Sequence, residues 1–148
     1  MRLADAIEDF LSYLRVERGR APLTLQSYTR ELESYRAFLA ERGFDAAEDA
    51  SRADVAAYEA DLVERGYAPT TVKHRLSAVK GLHRFLVREG VCKADPAAGM
   101  PAPKAPRRLP DMLSIRQVDR LLGQDFPPTP AGARDRALLE VLYGCGLR

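Results

Sequence analysis

The stretch from Pro69 to Gly90, PTTVKHRLSAVKGLHRFLVREG, decides how the rest of the chain is read. Val72, Leu76, Val79 and Leu86 recur every three or four positions, with His83 in the same register. At about 100° per residue they lie within roughly 40° of one line, the buried stripe of an amphipathic helix. Pro69-Thr70-Thr71 suits its opening turn and Gly90 its end. Lys73, Lys80 and Arg84 fall roughly 80–120° from that stripe, with Ser77 and Arg88 close behind. Gly81 is expected among them on the outward side, where a small residue lets another backbone approach. A major groove accepts such a helix, and lysine and arginine reach phosphates and base edges. The competing reading is a solvated basic face. His83, on the apolar side, reads as a core residue rather than a base.

Three more helices precede this one. The first covers Leu3 to Val16, with Ile7, Phe10, Leu11 and Leu14 apolar, and breaks at Gly19. The second is expected to start with Thr24 as its N-cap and to run to about Arg42, with Gly43 as the stop. Its apolar face is Leu25, Tyr28, Leu32, Tyr35 and Leu39, and Gln26, Arg30, Glu33 and Ala37 lie opposite. The third begins near Ser51, where Ser51 and Asp54 fit a capping box, and ends before Gly66. Thr24, Thr70 and Thr71 open the second and fourth helices. Free backbone N–H groups there favour a phosphate, and plain N-capping is a compatible second role. Four such helices make one small core of about 90 residues. No internal repeat and no strand is expected.

Beyond Gly90 the pattern changes. Asp95 to Pro110 holds five prolines in sixteen residues, too many for a regular helix, and reads as an extended linker. Ser114 then caps a helix through about Leu122, with Ile115, Val118, Leu121 and Leu122 apolar. A Pro-rich loop, Phe126 to Gly132, leads to a last helix whose Leu138, Leu139, Val141 and Leu142 cluster as on a buried face. The sequence stops at Arg148 within this apolar pattern, so it is expected to be a piece cut inside a second domain.

Composition narrows the functional classes. A chain of 148 residues with 46% hydrophobic and 30% charged side chains is globular rather than disordered. No apolar run of membrane length occurs, so no membrane partner is expected. Asp5, Glu8 and Asp9 inside the first apolar pattern argue against a secretory signal. Cys92 and Cys145 lie far apart without metal-ligand spacing, and read as free thiols in a reducing cytoplasm. His74 and His83 are the only histidines, and no Gly-rich phosphate loop or complete nucleophile set is present. No cofactor and no metal is expected. The net charge of +2 is uneven: Glu41 to Glu64 carries eight acids against two arginines, whereas Pro69 to Gly90 carries Lys73, Arg75, Lys80, Arg84 and Arg88 against Glu89 alone. That distribution suits a polyanion contact on one face.

Several segments then combine: Thr24-Leu-Gln-Ser-Tyr28 followed by Leu32, Arg75-Leu-Ser-Ala-Val-Lys80, Asp95-Pro96, Pro103-Lys104 through Arg108-Leu-Pro110, and Arg134 through Gly144-Cys-Gly-Leu-Arg148. In this order, across nearly the whole chain, they resemble the tyrosine recombinase or phage integrase family, most closely its bacterial Xer branch. The resemblance implies an all-α chain. Residues 1–90 would be a four-helix SAM-like core-binding domain, 91–113 a linker, and 114–148 the truncated start of the catalytic domain. In that family a tyrosine attacks a DNA phosphate and forms a 3′-phosphotyrosyl link, while arginines, a lysine and histidine groups stabilise charge and move protons.

Arg148 matches the first catalytic arginine, in Gly-Leu-Arg, and the remaining catalytic groups would lie beyond it. Tyr143 belongs to the apolar helix and reads as packing, so this chain alone is expected to bind DNA weakly and cleave nothing. The expected DNA contacts are Thr24, Gln26 and Arg30 on the second helix, and Thr71, Lys73, His74, Lys80 and Arg84 on the fourth. Lys104, Arg107 and Arg108 in the linker are expected near the backbone. The implied partners are double-stranded DNA and further recombinase subunits forming a tetramer on it, with chromosome dimer resolution and segregation as the task. Gly144-Cys145 departs from the Ala-Thr or Thr-Gly frequent in the family at that place. The alternatives are an integron or phage integrase, a helical interaction module without a DNA role, and a naturally truncated regulator.

Overall fold

The periodicities above appear as helices. The computed structural model describes residues 1–101 and 112–147, which form six helices with no strand among them. They are α1 (Leu3–Val16), α2 (Pro22–Glu41), α3 (Arg52–Glu64), α4 (Pro69–Arg88), α5 (Ile115–Leu122) and α6 (Pro130–Gly144). The chain divides into two compact units, one built on α1–α4 and one on α5 and α6.

In the first unit each helix buries most of the stripe its spacing sets out, with Leu11, Leu25 and Tyr28 half-buried at the margins. Leu3, Ile7, Phe10 and Leu14 come from α1, and Leu32, Tyr35 and Leu39 from α2. Val55, Tyr58 and Leu62 of α3 and Val72, Leu76, Val79 and Leu86 of α4 complete the core. α4, like α2, packs against all three others. Its buried arc is therefore wider than one stripe and takes in Ala78 and Leu82 as well. The N-terminal segment is tied down where Arg2 bridges Ala46 and the Met1 ammonium pairs with Glu48 at 2.9 Å.

His83 is fully buried, as its position on the apolar side implies. Its Nε2 lies 3.0 Å from the Tyr35 hydroxyl, while Nδ1 has no hydrogen-bond partner. Burial, only partly opposed by Asp95, pushes its pKa down to about 4. The same burial raises the Tyr35 hydroxyl. The Ser51–Asp54 capping box forms as expected, and the Asp54 carboxyl is held below its ordinary range, chiefly by the Ser51 hydroxyl.

Four local expectations are corrected. α2 begins at Pro22, with Ala21 as the N-cap, so Thr24 sits inside the first turn and caps nothing. Proline with its preset φ favours the N1 position. Ala68 likewise precedes Pro69 of α4. The second correction concerns the linker, whose opening folds onto the first unit. Cys92 and Ala97 are buried, the Asp95 carboxylate accepts from the Ala97 N–H at 2.8 Å, and Met100 packs against the core. Third, Gly81 faces inward: a Cβ there would meet the Phe10 ring at 3.1 Å, so its small size serves helix packing. Fourth, the loop before α6 ends earlier than expected. Thr129 caps α6 by accepting from the Gly132 N–H at 3.2 Å, and Pro130 takes N1.

In the second unit α5 packs on α6, and Ser114 and Gln117 form the capping box of α5. The apolar face of α6 is not buried here. Leu138 is 54% exposed, Val141 49% and Leu142 40%, against the expectation of a buried helix. Two helices alone supply no further layer to cover it.

Candidate nucleic-acid interface

The repeated start Ala-Pro-x-Thr, at Ala21–Thr24 and again at Ala68–Thr71, gives α2 and α4 the same kind of N-terminus. Neither has a side-chain cap. The backbone N–H groups of Thr70 and Thr71 precede the first intrahelical bond, which runs from Val72 N–H to the Ala68 carbonyl. They are donors at the positive end of a helix dipole, where an anion is favoured.

The bundle sets the start of α2 beside His74 and Ser77, one to two turns into α4. Leu23, Thr24, Ser27, Tyr28 and Glu31 of α2 line one groove with His74 and Ser77 of α4. Thr24 and His74, expected as contacts from separate helices, thus share a surface. Gln26, Arg30, Lys73 and His74 are exposed, and Thr24 and Thr71 half-buried. Glu31 is the acid lining this groove; burial raises its carboxyl, against the pull of His74, Arg75 and Arg30. Ser27 and Ser77 add hydroxyls that can donate to a phosphate oxygen.

The basic stripe of α4 does not form one surface. The Lys80 ammonium donates to the Met100 carbonyl at 2.7 Å and is half-buried, so it holds the segment after α4 against the helix. Arg52 grips the same segment through the Ala98 carbonyl at 2.8 Å. Arg75 also turns to structure: it donates to Ser34 at 2.9 Å and lies 4.2 Å over the Tyr67 ring. Arg84 remains exposed and lines a neighbouring groove with Tyr28 and Ser77. Lys104, Arg107, Arg108 and Arg148 lie outside the described residues. The sequence reading missed the paired Ala-Pro-x-Thr starts, although proline at N1 marks both helices. It also missed Arg18 and Arg20, which flank Gly19.

The first unit is thus a small all-α bundle in which the uncapped start of α2 and the N-terminal half of α4 share a hydroxyl-lined groove. Residues 7–90 match the phage integrase N-terminal SAM-like domain, and the chain belongs to that family. The tyrosine recombinase XerC of Salmonella typhi is 42% identical over 142 residues, covering 96% of this chain and 47% of that protein. The tyrosine recombinase XerD of Oceanobacillus iheyensis is 39% identical over 144 residues, covering 97% of this chain and 48% of that protein. The chain spans about half the length of these curated relatives. A crystal structure of a lambda integrase dimer bound to a COC' core site shares the fold, with a TM-score of 0.73 at 20% identity over all of this chain and 40% of that one.

Proposed function

We propose that the chain is the DNA-binding part of a site-specific tyrosine recombinase of the Xer kind. The observation that carries this reading is the packing of the α2 start on α4, with Thr24, Ser27, His74 and Ser77 lining one groove beside exposed Arg30 and Lys73. The open N–H groups of Thr70 and Thr71 at the start of α4, with the hydroxyls and cations of the two helices, suit the backbone of duplex DNA. Relatives named as tyrosine recombinases at about 40% identity support it.

On this reading the first unit is the DNA-binding domain, and α5 and α6 open the catalytic domain. Arg148 is the first member of an active site whose nucleophile lies beyond residue 148, and Lys104, Arg107 and Arg108 run near the DNA. The intact protein acts in the cytoplasm as a tetramer on DNA, cleaving and rejoining strands through a 3′-phosphotyrosine. This chain alone binds and does not cleave.

Fluorescence anisotropy with a labelled duplex tests the reading. Affinity should fall steeply between about 50 and 200 mM salt, and R30A/K73A should reduce the log–log slope by about 2. Binding that ignores both salt and these substitutions would contradict it.

A further inference from the structure

We propose that a second groove, beside α1 and α4, is a further phosphodiester site that holds the DNA backbone where it leaves the groove between α2 and α4; this rests on the DNA-binding reading above. Arg18, Arg20, Arg84 and Arg88 line it, and no acid does. Arg18, Arg20 and Arg84 stand around the concavity with no carboxylate lining it, and Arg88 at its edge is paired with Glu89, which leaves a net positive potential for an anion to meet. Tyr28 and Ser77 line this groove and the α2/α4 groove alike, so the two form one continuous path.

The backbone that carries Arg18 and Arg20 is fixed, and the Arg84 and Arg88 guanidinium groups are anchored. Gly19 takes a φ of +57°, a left-handed conformation that suits glycine. It lets the chain turn so that Arg18 N–H bonds the Tyr13 carbonyl at 3.2 Å and Arg20 N–H the Leu14 carbonyl at 3.0 Å. Both side chains then stand on a fixed turn at the groove edge. Arg88 stacks 4.0 Å over the Tyr13 ring and pairs with Glu89 at 2.8 Å. Arg84 anchors Nε on the Lys80 carbonyl at 3.1 Å, which leaves its terminal nitrogens to donate elsewhere. A preorganised guanidinium loses less freedom when it meets a phosphate, and its planar fork matches two phosphate oxygens. The floor is apolar, from Phe10 and Phe85, and Gly81 keeps it low. A backbone phosphate with its sugar suits an apolar floor between cationic walls.

Duplex binding across a salt series, with the 148-residue chain, R18A/R20A and R18K/R20K, tests the site. Both arginines are exposed, so the thermal melt of each variant should match that of the parent. R18A/R20A should weaken binding about tenfold at about 0.1 M salt and lower the log–log slope by about 2, and the lysine pair should restore most of the slope. If R18A/R20A leaves affinity and slope unchanged while R30A/K73A weakens binding, the second site is wrong and the DNA-binding reading stands. If the parent chain does not bind duplex at low salt, both fall.

Discussion

Leu76 in α4 and Leu138 in α6 occupy equivalent places in amphipathic patterns, yet Leu76 is 1% exposed and Leu138 54%. Both patterns specify a helix. Only the first finds three other helices to cover its stripe. Periodicity thus fixes which face is apolar, while burial depends on the packing partners available. The largest expected effect follows directly. Leu76→Ala should cost about 2–5 kcal/mol in urea unfolding followed by circular dichroism, and Leu138→Ala less than about 0.5 kcal/mol. Equal costs at the two positions would break the contrast.

The buried His83 sharpens it further, since nothing like it occurs among the described residues of the second unit. Its pKa is depressed from the ordinary 6.5 to about 4, so the unfolded chain binds the extra proton first. Stability from this group is complete above pH 6.5 and is lost as pH falls towards 4, by on the order of 3 kcal/mol in total. Asp54 adds its own loss only lower, as pH falls below its ordinary 3.8. Urea midpoints of the first unit should therefore drop between pH 6.5 and 4, and His83→Gln should flatten that slope. A wild-type midpoint constant over this range would contradict the buried, neutral imidazole.

The smallest contrast lies in the two capping boxes. Asp54 beneath Ser51 is buried, whereas the Ser114–Gln117 pair is exposed. Ser51→Ala should cost about 1–2 kcal/mol, and Ser114→Ala about 0.5 kcal/mol, read from helix melting. A larger cost at Ser114 would reverse the argument.

Much of the first unit was legible because its signals are local. The bounds of α1, the capping boxes at Ser51 and Ser114, and the buried register of Val72, Leu76, Val79, His83 and Leu86 follow from spacing and cap chemistry alone. What escaped depends on tertiary contacts. Thr24 looks like a cap until Pro22 claims N1. Lys80 looks like a free cation until the chain after α4 returns its Met100 carbonyl to it. Gly81 looks outward on a helical wheel, but α1 lies against it through Phe10. The proline-rich composition of 95–110 suggests an extended path, and the buried Ala97 shows that proline content does not prevent the opening of such a stretch from packing. The candidate interface was legible helix by helix, through Thr24, Arg30, Lys73 and His74. The adjacency of α2 and α4 was not, because a single helix carries no record of its neighbour.

The measurement that bears most directly on the central claim is a two-dimensional amide NMR titration of the chain with a short duplex. The shifts that move should cluster at residues 21–31 and 68–77, with residues 17–20 joining them, while α3 stays still. Perturbations centred on α3, or none at the starts of α2 and α4, would contradict the account.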